Sequence, residues 1–288
     1  MSPGAARVDI EHLKQWVGRT EQQTDVITVK PVDALNALLD RDTPPAVAGD
    51  VVPRLWHWLY FLPIVRSSLV GPDGHPLRGG FLPPVPLPRR MIAGGRLQFP
   101  GELRVGDAVT RTASILKVDH KQGRSGDLIF VTVRNEFNTP RGVALIEEQD
   151  IVYRDTPAPN EPPPPTQIAP AGHLWDRKFT PDEVVLFKFS ALTLNGHRIH
   201  YDHPYVTQVE GYPGLVVHGP LIAILLADLV QRSVPQRKVK DFSYRAVSPT
   251  FHTAPFFLCG SPEGENGAAA WAKSLEGKLA MQTTATFT

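Results

Sequence analysis

The segment 219–230, "GPLIAILLADLV", constrains this chain more than any other. At helical spacing Leu221, Ile222, Ile224, Leu225, Leu226, Leu229 and Val230 occupy most of the circumference, so the helix has no face to give to water. A membrane does not resolve the problem. The apolar stretch Leu221–Val230 is about half of the roughly 20 residues that cross a bilayer, and it carries Asp228. The helix must be wrapped by protein, and the material for wrapping follows it: β-branched or alternating segments near 239–247, 255–259, 268–273 and 280–287, read as strands. A single curved antiparallel sheet folded around the helix is the simplest container.

The segment 156–170, "TPAPNEPPPPTQIAP", has 7 prolines in 15 residues, which excludes helix and central strand and predicts a stiff polyproline-like spacer. It divides the chain into 1–155 and 171–288. The first part predicts helices over 8–17 and from Pro31 through Leu39. A meander over 108–118, 128–137 and 143–153 follows, with "HKQGRSGD" and "NTPRG" as its turns. The second part predicts a strand over 184–189, a polar stretch, the apolar helix and the four strands. Each part reads as a long apolar helix followed by a meander. The expected fold is therefore α+β, a double hot dog with its two curved sheets laid edge to edge.

The 288 residues supply core for one large or two ordinary domains. With 30 basic and 29 acidic side chains, bulk charge gives no reason to expect a nucleic-acid or membrane partner. The single cysteine, Cys259, excludes an internal disulfide framework and a cysteine-based structural zinc site. The start, "MSPGAARVDIEHLKQW", does not read as a signal or transit peptide, so a cytoplasmic protein is expected. We also expect a homo-oligomer, a dimer or larger.

Between the predicted strand and the apolar helix lies "TLNGHRIHYDHPYV", residues 193–206, with Asn195, His197, Arg198, His200, Asp202 and His203 close together. Three readings apply. A metal site would draw on His197, His200, Asp202, His203 and His218, but the zinc-hydrolase pattern needs a glutamate between two helical histidines, where this chain has Arg198 and Ile199. We expect no metal and no cofactor. A solvated loop is the plain alternative. The catalytic reading gains from "EGYPGLVVHGPL", residues 210–221: His218 and Gly219 open a buried helix, whose first N–H groups lack intrahelical acceptors and point at an incoming anion.

These residues carry a resemblance. "TLNGHRIHYD" with "VEGYPGLVVHGPL" resembles the hydration motif of the MaoC-like enoyl-CoA hydratases, in which Asp or Asn stands five residues before His and a His-Gly pair opens the central helix. The segments 86–107, "PLPRRMIAGGRLQFPGELRVGD", and 242–249, "FSYRAVSP", also look like the group holding hydroxyacyl-thioester dehydratase type 2 and the mesaconyl-C4-CoA and itaconyl-CoA hydratases.

The resemblance implies a hydro-lyase acting on an acyl-CoA thioester, with Asn195 and His200 catalytic and the Gly219 N–H holding the thioester oxygen. It implies substrate or CoA contacts at His218, Tyr212, Arg245 and Arg90. One departure matters: Asn195 stands where many relatives have aspartate. An amide cannot act as a general base, so His200 would carry the proton chemistry while Asn195 orients the water. Asp202 is expected to be a turn or salt-bridge residue. The first part has no such motif and would shape the acyl pocket, with Arg90 facing a substrate carboxylate or a CoA phosphate. A short, dicarboxylic acyl group such as mesaconyl or itaconyl is the leading expectation. The alternatives are a 3-hydroxyacyl-carrier-protein dehydratase and a non-enzymatic thioester-binding protein.

Overall fold

The computed structural model describes residues 8–123, 126–156 and 165–288. In chain order the elements are α1 (Ile10–Lys14), β1 (Thr20–Val26), α2 (Val29–Leu38), β2 (Arg89–Gln98), β3 (Ala108–Gly123), β4 (Gly126–Thr139), β5 (Gly142–Arg154), β6 (Trp175–Phe179), α3 (Glu183–Leu192), α4 (His203–Gln208), α5 (Gly219–Ser233), β7 (Val239–Ala246), β8 (Phe256–Glu263), β9 (Gly267–Lys273) and β10 (Leu279–Phe287). The ten strands form one sheet in the order β1-β3-β4-β5-β2-β7-β10-β9-β8-β6. Five strands come from each side of the proline segment, and β2 pairs with β7 to join the two sets edge to edge. This is the double hot dog. Residues 157–164 of the expected spacer lie outside the described residues, and Ile168 bridges to Lys278.

Helix α5 is wrapped as its composition demands: every residue from Leu221 to Val230 except Asp228 is buried, and the helix packs against β6 to β10. Asp228, the one charge in this stretch, is met by Arg41 at 2.8 Å, Arg232 at 2.9 Å and Arg177 at 3.1 Å. The first half differs from the expected repeat of a long apolar helix. Its α2 has ten residues and buries only Val32 and Leu35. Leu55, Trp56, Leu59, Tyr60 and Phe61, in and beside a short 3₁₀ turn, fill much of the remaining space.

The strand expected over 184–189 is instead helix α3. Val184, Val185 and two phenylalanines give the segment a strand-like composition, but the Asp182 carboxylate caps the Val185 N–H at 2.7 Å and starts a helix. Leu186, Phe189 and Ser190 then face inward at helical spacing, leaving Phe187 62% exposed. The cap and the burial of one face outweigh β propensity. Strands β1, β2 and β6 were not anticipated, because their polar sequences lack the alternation that marks a half-buried strand.

The seam between the halves depends on Gly95. It pairs with Tyr244, and a Cβ on Gly95 would lie 2.6 Å from the Tyr244 ring. Gly95 is outside the left-handed region of backbone conformation, so the constraint is one of space. We predict that Gly95→Val lowers the unfolding free energy by about 1–3 kcal/mol, the usual cost of overpacking, as measured by urea denaturation.

Candidate active site

Helix α3 ends at Leu192, and Leu194 takes a left-handed conformation that turns the chain sharply. The Asn195 N–H is tied to the Ser190 carbonyl at 2.8 Å, and the Asn195 Oδ1 accepts the His197 N–H at 3.0 Å. With its oxygen engaged, the amide NH₂ is the part of Asn195 left to hold a small molecule. A 3₁₀ turn over Arg198–His200 follows. Asp202 then caps α4 through the Tyr205 N–H at 3.0 Å and accepts from Arg198 at 2.7 and 2.9 Å, the turn and ion-pair role expected of it.

His200 is 7% exposed. Its Nδ1 lies 2.7 Å from the Val216 carbonyl oxygen. A carbonyl only accepts, so Nδ1 carries the hydrogen and Nε2 presents a lone pair. Burial pushes the ring's pKa down to about 4, which keeps it neutral near pH 7. The His200 ring stacks on His218 with centroids 3.7 Å apart and planes 19° apart. His218 is 0% exposed and its Nε2 lies 2.8 Å from the Ser190 hydroxyl. It therefore has no surface for the substrate contact expected of it, and sits behind His200 as a support carried by the start of α5. The next residue, Gly219, is the first of that helix, partly exposed, and its N–H has no partner among the described residues.

Two further expectations change. Arg245 is exposed on β7, where its neighbour Tyr244 points into the core; alternation along the strand sends Arg245 to the outer face, away from α5. It does not face this site. Tyr212 is packed against Phe251, and the Arg89 guanidinium lies 5.5 Å from its ring. Arg89 itself is held by Glu210, through the carbonyl at 2.7 Å and the carboxylate at 3.1 Å. These contacts tie Tyr212 and Arg89 into the surrounding framework.

Arg90 does reach an opening. It lines a cavity of about 510 Å³ with Asp73, His75, Arg78, Tyr205 and Glu210 among its neighbours. Arg78 is spent on the carbonyls of Val85, Leu87 and Pro88. Arg90 has no salt bridge among the described residues.

The sequence reading missed Asp73 and His75. They sit on the loop 71–75, "GPDGH", which packs on the turn after Asn195: the Arg198 N–H donates to the Asp73 carbonyl at 2.9 Å and an Arg198 guanidinium N–H to that of Pro72 at 3.0 Å. Gly74 and Gly196 face each other so closely that a Cβ on Gly74 would fall 1.7 Å from the Gly196 oxygen. Ring centroids of His75 and His197 are 4.1 Å apart, and those of His197 and His200 5.5 Å. The sequence did hold a signal, the 68 residues from 40 to 107 with no predicted element, since long unstructured segments in compact domains are usually functional. Asp73, His75 and His197 also place ligand-type atoms within 4.8 Å of one another. The histidines adjacent in sequence do not form such a group among the described residues.

The family model for hydroxyacyl-thioester dehydratase type 2 matches residues 55–252, a span that holds the loop 71–75, Arg90, Asn195, His200 and Gly219. The chain belongs to this family. It is 46% identical over 250 residues to mesaconyl-C(4)-CoA hydratase of Chloroflexus aurantiacus, covering 87% of this chain and 89% of that protein. The fold matches the crystal structure of HtdX from Mycobacterium tuberculosis, with TM-score 0.65 and 18% identity over 93% of this chain and 98% of that one. It also matches a second M. tuberculosis protein described as a double hot dog, with TM-score 0.58 and 12% identity over 94% of this chain and 96% of that one.

Burial lowers the proton affinity of His197 and His218 as well as of His200. The unfolded chain binds protons on these rings near pH 6.5, whereas the folded protein takes them up only at lower pH. Stability must therefore fall as the pH drops below about 6.5. We predict that the unfolding free energy, measured in urea between pH 7 and pH 5, declines with acid, and that His200→Phe makes the decline shallower.

Proposed function

We propose that this chain is a hydratase/dehydratase of 2-enoyl thioesters. The observation that carries the reading is the neutral His200 ring, with its Nδ1–H on Val216 and its Nε2 left as a base, stacked on His218 next to the Gly219 N–H, which has no partner among the described residues. Asn195 holds a water through its amide and His200 Nε2 takes a proton from it. The hydroxyl bonds to the β-carbon, and the double-bond electrons move into the thioester, whose oxygen becomes negative against the Gly219 N–H at the positive end of α5. The proton on His200 then passes to the α-carbon on the same face, a syn addition of one water. The reverse sequence is dehydration. Similarity to the Chloroflexus hydratase supports a CoA thioester as the carrier.

In this reading residues 171–288 carry the chemistry, the proline segment 156–170 connects, and residues 1–155 shape the acyl pocket. We further place the enzyme in the cytoplasm as a dimer or larger homo-oligomer. A spectrophotometric screen with crotonyl-, mesaconyl-C4-, itaconyl- and longer enoyl-CoA tests the activity. It also separates an enzyme from a thioester-binding protein. We predict that His200→Ala lowers kcat about 10²- to 10⁴-fold, the worth of a general base, with its circular dichroism unchanged. Turnover near wild type would refute the mechanism.

A short dicarboxylic acyl group is the substrate we favour, because Arg90 lines the cavity without a salt bridge among the described residues. Replacing it with methionine keeps the bulk of the stem and removes the charge. Loss of a desolvated ion-pair partner typically costs about 2–5 kcal/mol. We predict that Arg90→Met collapses kcat/KM for mesaconyl-C4-CoA and leaves crotonyl-CoA unaffected, whereas Arg245→Met, on the outer face, changes neither. A uniform loss with Arg90→Met would assign the arginine to the CoA phosphates instead.

A further inference from the structure

Resting on the hydratase reading, we propose that Asp73, held by His75, is the counter-charge of the active site: the loop 71–75 of the first half supplies the carboxylate that Asn195 does not. Asp73 and His75 act as a positioning pair through His197 on His200.

The need comes from the chemistry. When His200 takes a proton from water it becomes a buried cation whose one hydrogen-bond partner among the described residues is the Val216 carbonyl. A buried charge without a counter-ion is costly. In an Asp-His pair the carboxylate orients the imidazole and stabilises its charged form, yet residue 195 is an amide and cannot do this. The groups around His200 are His197 on its own turn, His218 at the start of α5, and His75 from the loop; behind them Asp73 acts on His197 and His75, as does Arg90 from β2. Asp73 is the one anion in this set.

The geometry keeps it ionised and in place. Asp73 Oδ1 accepts the His75 backbone N–H at 3.0 Å, and Oδ2 accepts its ring Nδ1–H at 2.9 Å. Burial pushes the Asp73 carboxyl up, but these hydrogen bonds overcome it and hold the group well below the usual carboxylate range. The His75 ring then meets His197, and His197 meets His200, in an unbroken line of imidazoles. The backbone and guanidinium bonds from Arg198 and the contact of Gly74 with Gly196 fix the loop against the turn that carries His200.

A divalent cation at Asp73, His75 and His197 is the competing use of the same side chains. The arrangement disfavours it. The His75 Nδ1 is already spent as a donor to Asp73, and Arg90 and Arg78 both act on His75 by like charge. Tyr205 from α4 adds a neutral hydroxyl within range of Asp73.

The test uses the full-length protein with whichever of mesaconyl-C4-CoA or crotonyl-CoA the wild type turns over faster. Asp73→Asn keeps the side chain's shape and its acceptor for the His75 backbone N–H, and removes the charge together with the acceptor for the ring Nδ1–H. For a unit charge acting across two rings, we expect kcat to fall about tenfold, with KM within twofold and the melting temperature unchanged. Asp73→Glu should restore part of the loss, and His75→Gln should match Asp73→Asn. The pH profile separates charge from mere structure. His200 works unprotonated, and removing a nearby anion lowers its proton affinity, so the acidic fall of kcat/KM must move to lower pH in Asp73→Asn. Wild-type kcat in Asp73→Asn would overturn the proposal, as would a loss that tracks melting temperature with an unmoved pH profile. One equivalent of Zn²⁺ bound by wild type and not by Asp73→Asn, with activity abolished by chelator, would reassign the cluster to a metal. A wild type inert toward every enoyl-CoA would instead refute the hydratase reading, and this proposal with it.

Discussion

Burying a helix whole is the constraint from which the rest of this structure follows. Helix α5 gives its sides to apolar contacts with five strands, and that fixes where both of its ends must be. Its first turn keeps N–H groups that the helix itself cannot satisfy, and its N-cap residue, His218, makes no side-chain capping bond among the described residues. The chain before the helix, 193–218, folds back over this end, placing His200 on His218 and leaving the Gly219 N–H unpartnered among the described residues. Packing and chemistry are thus linked at one point: the helix is stable because it is enclosed, and its polar start is where an anion is best received.

The second constraint is that the site is shared. Its histidines and helix start come from the second half, while the loop 71–75 and Arg90 come from the first. The two are held together by the backbone and guanidinium hydrogen bonds of Arg198 and by two glycines in contact, which tolerate very little displacement. Continuity of the sheet through β2 and β7 gives these loops a common base. Precision in a site assembled from distant segments requires such a rigid support.

Much of this was legible in the sequence, for physical reasons that differ from residue to residue. The burial of α5 follows from composition alone, because no helix with leucine and isoleucine on every side can face water. Strands β3, β4 and β5 stand out as β-branched segments between turn compositions, and every second residue of β4 from Ile129 to Phe137 is buried. Asn195, His200 and Gly219 are singled out by their likeness to the MaoC-like motif, which is local in sequence. What failed was non-local or end-dependent. The strand expected at 184–189 became helix through one capping aspartate, and Arg245 pointed outward because strand parity depends on pairing that no short window reveals. The long unassigned segment marks the region of Asp73 and His75, but the two residues do not stand out within it because their meaning lies in a turn more than a hundred residues away.

The sheet's two margins set how copies of this molecule can meet. The outermost strands are β1, "TEQQTDV", and β6, "WDRKF", each short and studded with charge. If β1 paired antiparallel with its own copy, Glu21 and Asp25 would gather like charges along the new ladder, an unfavourable arrangement. Charged, short margins of this kind blunt the templating by which open sheets recruit further chains. A ten-stranded sheet would otherwise invite end-on growth into fibrils; here growth is discouraged in the direction of the hydrogen bonds, and assembly is left to the faces and loops.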